Sequence, residues 1–139
     1  MDFLIVAAMQ ARASLKAIAF LLNGAVFLVG IARFQGRLAP PDYMYVGLLF
    51  AAPIVSWLAL VLSYRKRIDP EIAATAKAAT VVLNVLLLGF VGWLTARLDS
   101  DTRADEALWL VLLFATPPAN ALAILRSLPG RKTDDSAIT

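Results

Sequence analysis

Residues 43–64 read YMYVGLLFAAPIVSWLALVLSY, and this stretch of twenty-two residues contains no Asp, Glu, Lys or Arg. A helix needs about 20 mostly apolar residues to cross the hydrocarbon core of a bilayer. Three further charge-free stretches follow the same pattern: 17–32 with sixteen residues, 78–96 with nineteen and 107–125 with nineteen. The first stretch is short, and it can cross the bilayer if Lys16 and Arg33 extend their charged ends toward water.

The composition of the whole chain favours the same interpretation. Of 139 residues, 60% are apolar and 17% are charged, and the mean hydropathy is +0.75. Soluble domains average about 45–50% apolar and about 25% charged residues. A chain of this size cannot bury the excess apolar surface inside itself. Helices of a soluble bundle would carry a polar stripe, which these stretches lack, and open strands would leave their hydrogen-bonding groups unpaired in lipid.

These patterns predict an all-α membrane protein with spans at about 15–33, 43–64, 77–97 and 107–127. The connections between the spans are short, so neighbouring helices must run antiparallel. The prediction is a four-helix transmembrane domain over residues 15–128.

The two ends of the chain differ from the spans. Residues 1–14 are apolar but too short to cross a bilayer, so they form either an interfacial helix or an extension of the first span. We favour the interfacial helix. Pro129 and Gly130 end the last helix, and residues 129–139 read as a disordered cytoplasmic tail.

The distribution of Lys and Arg predicts the orientation of the bundle. Nine basic residues flank the side that carries both termini, and four flank the other side, which also holds Asp99, Asp101, Asp105 and Glu106. Basic residues concentrate on the cytoplasmic side. We therefore expect an inner-membrane protein with both termini in the cytoplasm. The positive net charge of +3 follows from this arrangement and does not indicate nucleic-acid binding.

The second and fourth stretches resemble each other at an offset of 64 residues. Leu48-Leu-Phe-Ala-Ala-Pro53 corresponds to Leu112-Leu-Phe-Ala-Thr-Pro117. The first and third stretches match more weakly, with Leu22-Asn23 against Leu83-Asn84. The pattern predicts two duplicated helical hairpins, related by a pseudo-twofold axis along the membrane normal.

Polar residues inside spans are the candidate functional positions. They include Asn23, Asn84, Ser56 and Asn120. One interpretation is a central cluster that binds a polar ligand or an ion. The other, which we favour, is hydrogen bonding between helices. Asn23 and Asn84 occupy equivalent positions of the repeat, so we expect them to pair with each other.

Three prolines lie inside the predicted spans, at Pro53, Pro117 and Pro118. Proline removes a backbone hydrogen bond and bends a helix. These positions are therefore candidate kinks or hinges, although bundles also tolerate such prolines for packing alone.

The residues that catalysis usually requires are scarce. The chain has no Cys and no His, and no Asp or Glu lies within a span. The acidic residues between the third and fourth spans stand beside Arg97 and Arg103, which indicates a solvated loop rather than a metal site. We therefore expect no enzyme activity, no cofactor and no metal.

The sequence thus favours a non-enzymatic protein of the inner membrane that acts through helix contacts with another membrane protein, as an accessory subunit or an immunity or inhibitor protein. Its partners would be the lipid bilayer and either another membrane protein or a second copy of itself. The alternative is a channel or carrier for a small neutral or weakly polar solute.

Overall fold

The computed structural model describes residues 2–34 and 43–128, which form five helices and no strand. In chain order they are α1 (Asp2–Phe34), α2 (Tyr43–Leu62), α3 (Pro70–Arg97), α4 (Ser100–Asp105) and α5 (Ala107–Ser127). The four long helices are long and apolar enough to cross a membrane. The predicted all-α four-helix membrane bundle is therefore confirmed.

The four long helices pack in a ring. α1 and α3 lie at opposite corners, and each packs against both α2 and α5. α2 and α5 also approach each other across the diagonal. α2 and α5 therefore each pack against three long helices, and α1 and α3 each pack against two.

Short polar signals fix where α3 and α4 begin. The Asp69 carboxylate accepts the backbone N–H of Glu71, and Pro70 occupies the first turn of α3, where its missing N–H costs nothing. In the same way the Asp99 carboxylate accepts the backbone N–H of Thr102 at 2.7 Å and starts α4. The charge pattern predicts a solvated loop at this point, and the structure instead has a six-residue helix there.

The N-terminal segment is part of α1. The helix runs without interruption from Asp2 to Phe34, so the structure has the helical extension of the first span and not a separate interfacial helix. At a rise of about 1.5 Å per residue, thirty-three residues reach about 49 Å, which exceeds the roughly 30 Å of hydrocarbon in a bilayer. Residues 2–14 are exposed along this whole extension. The predicted tail at 129–139 lies outside the described residues.

The interior of the bundle is divided into layers along its axis. One apolar cluster includes Val26, Leu49 and Leu113, and a second includes Ala59 and Ile124. Between the two clusters lies a set of buried polar side chains, which we call the polar layer: Asn23, Ser56, Asn84 and Asn120.

The two ends of the bundle also differ. We call one the basic end, which carries Arg12, Lys16, Lys77 and Arg126 together with the segment at 65–67. The other is the α4 end, which carries Arg33, Arg97, Glu106 and α4 itself.

Candidate functional site

Each of the four long helices contributes one residue to the polar layer. Asn23 comes from α1, Ser56 from α2, Asn84 from α3 and Asn120 from α5, and none is more than 1% exposed. These are the four intramembrane polar residues that the sequence analysis selected, and the fold brings them together at one level of the bundle.

The shortest link in the polar layer joins α1 to α5. The Nδ2 atom of Asn23 donates to Oδ1 of Asn120 at 2.7 Å, and Nδ2 of Asn120 donates back to Oδ1 of Asn23 at 2.8 Å. The two carboxamides therefore form a reciprocal pair, in which each serves as both donor and acceptor.

The remaining links extend from this pair to α3 and α2. Nδ2 of Asn120 also donates to Oδ1 of Asn84 at 3.0 Å, and Nδ2 of Asn84 donates to Oγ of Ser56 at 3.0 Å. The expected pairing of Asn23 with Asn84 is wrong, because Asn120 lies between them and bonds to both. The reason is the ring order of the helices, in which α5 separates α1 from α3.

The remaining amide and hydroxyl hydrogens of the polar layer are donated to backbone carbonyl oxygens of the same helix. Asn23 donates to the carbonyl oxygen of Ala19, and Asn84 donates to that of Thr80. Ser56 donates its hydroxyl hydrogen to the carbonyl oxygen of Ala52. Each amide N–H of the three asparagines and the Ser56 hydroxyl therefore has an acceptor. The polar layer has no spare donor to offer a ligand.

Two buried threonines flank the polar layer on opposite sides, because α3 and α5 run antiparallel and each threonine precedes an asparagine of the layer by four residues. The Thr116 hydroxyl donates to the carbonyl oxygen of Leu112. The Thr80 hydroxyl is fully buried and has no hydrogen-bond partner within the described residues. A buried hydroxyl without a partner is costly, so Thr80 is the weakest point of this otherwise closed arrangement.

The three intrahelical prolines occur inside continuous helices. Pro53 and Pro117 are buried, and each precedes a residue of the polar layer by three positions; Pro118 is exposed. Because proline has no N–H, the carbonyl oxygens one turn before Pro53 and Pro117 are not bonded by the usual helical donor. Their role as hinges stays a prediction.

The junction of α1 with α2 uses aromatic contacts in place of amide bonds. The Phe27 ring of α1 lies 5.3 Å from the Phe50 ring and 5.8 Å from the Trp57 ring, both on α2. Nε1 of Trp57 also donates to the carbonyl oxygen of Phe20 at 3.3 Å. Trp57 lies within the charge-free stretch 43–64, but the sequence does not reveal its acceptor on α1.

The α4 end holds an ion pair between the same two helices that the reciprocal amides join. Nη2 of Arg33, at the end of α1, contacts Oε2 of Glu106, which immediately precedes α5. The guanidinium of Arg33 also lies 5.4 Å from the centroid of the Trp109 ring. α1 and α5 are thus fastened at two depths.

Comparison of the chain with models of protein families, with curated proteins and with solved structures gives no match.

Proposed function

We propose that this membrane protein has no enzymatic activity and acts through helix contacts with another membrane protein, as an accessory subunit or as an immunity or inhibitor protein. The observation that carries the proposal is the closed polar layer. Its donors are all used within the bundle, so a solute that accepts hydrogen bonds would have to displace bonds that the bundle already makes. The outer surface of the bundle is then the part of the protein that can contact another molecule.

The middle of α3 offers a suitable contact surface. Gly89 is exposed, and a side chain built at that position would meet nothing within 4 Å. Val85 and Trp93, one turn away on either side, are also exposed. Glycine in a helix interior costs about 1 kcal/mol relative to alanine, and small residues let helix backbones approach closely in membranes. Close packing of a partner helix on this surface would offset that cost.

Affinity capture from native membranes in mild detergent tests the proposal. The wild-type protein is expected to recover a partner at constant stoichiometry over several expression levels. Gly89→Leu is expected to lose the partner, because the larger side chain prevents close approach. The matched control is Gly47→Leu, since Gly47 is also exposed with open space around it but lies near the start of α2.

Two results would contradict this proposal. Recovery of only the protein itself at every expression level would exclude a distinct partner. Equal recovery of the partner by both leucine variants would exclude the α3 surface and move the contact elsewhere on the bundle.

A channel or carrier for a small neutral solute is the competing proposal. It would use Asn23 and Asn84 after an opening of the polar layer, which could begin at the Thr80 hydroxyl, a buried group next to the layer that has no hydrogen-bond partner among the described residues. Liposomes that contain the purified protein would then show uptake of glycerol or urea, measured by light scattering. Uptake that is reduced by Asn23→Leu and Asn84→Leu would support this alternative over the first proposal.

We also infer that the protein lies in the inner membrane with both termini in the cytoplasm. The support is the excess of basic residues at the basic end. A fluorescent reporter fused to the C-terminus is expected to fluoresce, and a reporter that requires export is expected to be inactive there. The opposite pattern would reverse the orientation.

We infer, finally, that the bundle is a duplicated hairpin. In the repeat, Asn23 corresponds to Asn84 and Ser56 corresponds to Asn120. If each residue of the Asn23–Asn120 contact is replaced by its equivalent in the other hairpin, the result is the Asn84–Ser56 contact. Both contacts are present in the structure. The same exchange would turn the Asn120–Asn84 contact into one between Ser56 and Asn23, whereas the Ser56 hydroxyl donates to the carbonyl oxygen of Ala52 and accepts from Asn84.

A further inference from the structure

A cleft of about 270 Å³ opens at the basic end, where the beginning of α1 passes the last turn of α5. It is lined by Met9, Arg12, Ala13, Lys16, Tyr64, Arg126 and Ser127. Lys16 and Asn23 are seven residues apart on α1, about 10 Å along the helix axis, so the cleft is separate from the polar layer, and the proposed partner contact on α3 does not use it.

Three of the lining side chains are cationic, and they come from two helices. Arg12 and Lys16 lie one turn apart on α1, where like charges repel, and Arg126 comes from α5. Within residues 2–34 and 43–128, no carboxylate lines this cleft, and the one ion pair is Arg33 with Glu106 at the opposite end. The cleft therefore concentrates positive charge that those residues leave uncompensated.

An aromatic ring, and not a carboxylate, holds the lysine in place. Nζ of Lys16 lies 4.2 Å from the centroid of the Tyr64 ring. Such a contact attracts the ammonium to the ring face and leaves its N–H groups free to donate elsewhere. The lysine is therefore positioned toward the cleft without being neutralised.

The depth of the cleft suits the headgroup region of a bilayer. Lys16 is the last charged residue before the first charge-free stretch, and Arg126 is the first charged residue after the last one. The rest of the lining, including Met9, Ala13 and the Tyr64 ring, is largely apolar. A soluble inorganic anion gains nothing from an apolar lining, whereas the glycerol and first methylenes of a lipid can pack against it.

We propose that this cleft binds the phosphate group of an anionic phospholipid. Guanidinium and ammonium groups donate charge-assisted hydrogen bonds to phosphate oxygens, and the apolar lining packs against the lipid's glycerol region. The proposal differs from general attraction of lipid to the exposed Arg65-Lys66-Arg67 segment, because none of those three residues lines this cleft.

Native mass spectrometry of the full-length protein tests the site. The protein is released from nanodiscs that contain equal amounts of dioleoylphosphatidylglycerol and dioleoylphosphatidylcholine, which differ only in their headgroups. The wild-type protein is expected to retain one phosphatidylglycerol in preference to phosphatidylcholine. The triple variant R12Q/K16Q/R126Q is expected to show a preference about a hundredfold smaller. Each basic residue near an anionic headgroup contributes roughly fivefold, and the three contributions multiply.

The matched control is R65Q/K66Q/R67Q, which removes the same number of charges from the same end of the bundle. It is expected to keep the preference, and circular dichroism is expected to show equal helix content in both triple variants. An equal loss in the two variants, or no preference in the wild type, would overturn the site. Displacement of the lipid by millimolar inorganic phosphate would overturn the lipid assignment in favour of a soluble anion.

The segment that follows Arg126 in the sequence carries negative charge. Asp134 and Asp135 follow Arg126 closely in sequence. The same comparison in a D134N/D135N background is expected to give the same ranking of variants. A preference for phosphatidylglycerol that arises only in this background would show that the chain's own carboxylates occupy the cleft, and it would overturn the proposal.

Discussion

Asn23 and Asn120 face each other at the centre of the bundle as a reciprocal carboxamide pair, with donor–acceptor distances of 2.7 and 2.8 Å. They are ninety-seven residues apart in the chain and fully buried. Because Asn120 also donates to Asn84, it is the residue through which α1, α5 and α3 are joined. Its removal therefore tests how much the polar layer contributes to stability.

Asn120→Leu is expected to lower the free energy of unfolding by about 2 kcal/mol. Hydrogen bonds between membrane helices average roughly 0.6 kcal/mol, and the substitution removes three of them while leaving Asn23 and Asn84 with unpaired groups. Steric trapping or unfolding by detergent measures the change. Asn23→Leu is expected to cost less, since it removes only the reciprocal pair between helices.

The double variant N23L/N120L provides the control for this measurement. Because the two residues share their contacts, the double variant is expected to cost less than the sum of the single variants, by on the order of 1 kcal/mol. Strictly additive effects would show that the two amides do not interact in the folded protein.

Ser56→Ala is expected to lower the free energy of unfolding by about 1 kcal/mol, because Nδ2 of Asn84 then loses its acceptor on α2. The matched control is Ser63→Ala on the same helix. The Ser63 hydroxyl donates only to Leu60 of its own helix and is half-buried, so its loss is expected to be close to neutral. Equal thermal stability of the two variants in the same detergent would contradict a role for Ser56 between helices.

Arg33→Gln is expected to destabilise the protein by less than about 1 kcal/mol. The side chains of Arg33 and Glu106 are 40% and 30% exposed, so solvent screens their attraction. The melting temperature of the wild type is expected to move toward that of the variant as salt is added. A loss larger than that of Asn120→Leu would show that the ion pair, and not the polar layer, dominates the α1–α5 contact.

The start of α4 is expected to depend on pH. Hydrogen bonds from the Thr102 hydroxyl and backbone N–H hold the pKa of Asp99 below its ordinary value. The cap therefore contributes in full above the unfolded pKa of about 3.9, and this contribution is lost as the pH falls through the lower folded pKa. Amide hydrogen exchange at Thr102 is expected to lose protection in that acid range.

Asp99→Asn is the control for the pH effect, because asparagine also caps helices and does not titrate. The variant is expected to keep the Thr102 amide protected to the same extent across the acid range, once intrinsic exchange is subtracted. The same acid-induced loss in the wild type and the variant would place its cause elsewhere.

The sequence carries a signal for the start of α3 at Pro70, before the predicted span at 77–97, because Asp69-Pro70-Glu71 contains a capping carboxylate and a proline suited to a first turn. Asp99 and Thr102 carry a comparable signal for α4, but the charges around them were interpreted as a loop. The lining of the basic cleft could not be predicted, because Arg12 and Arg126 are distant in the chain and meet only when α1 packs on α5.

The four spanning helices followed from the sequence alone, since in lipid each helix satisfies its backbone hydrogen bonds within its own segment, and a charge-free stretch is enough to identify it. The inward position of the asparagines followed for a related reason, because hydrocarbon does not solvate an amide. Only the tertiary structure decided which amides bond. That choice depends on the order of the helices around the ring and on the rotation of each helix about its axis. Both are set by the packing of side chains from all four helices at once.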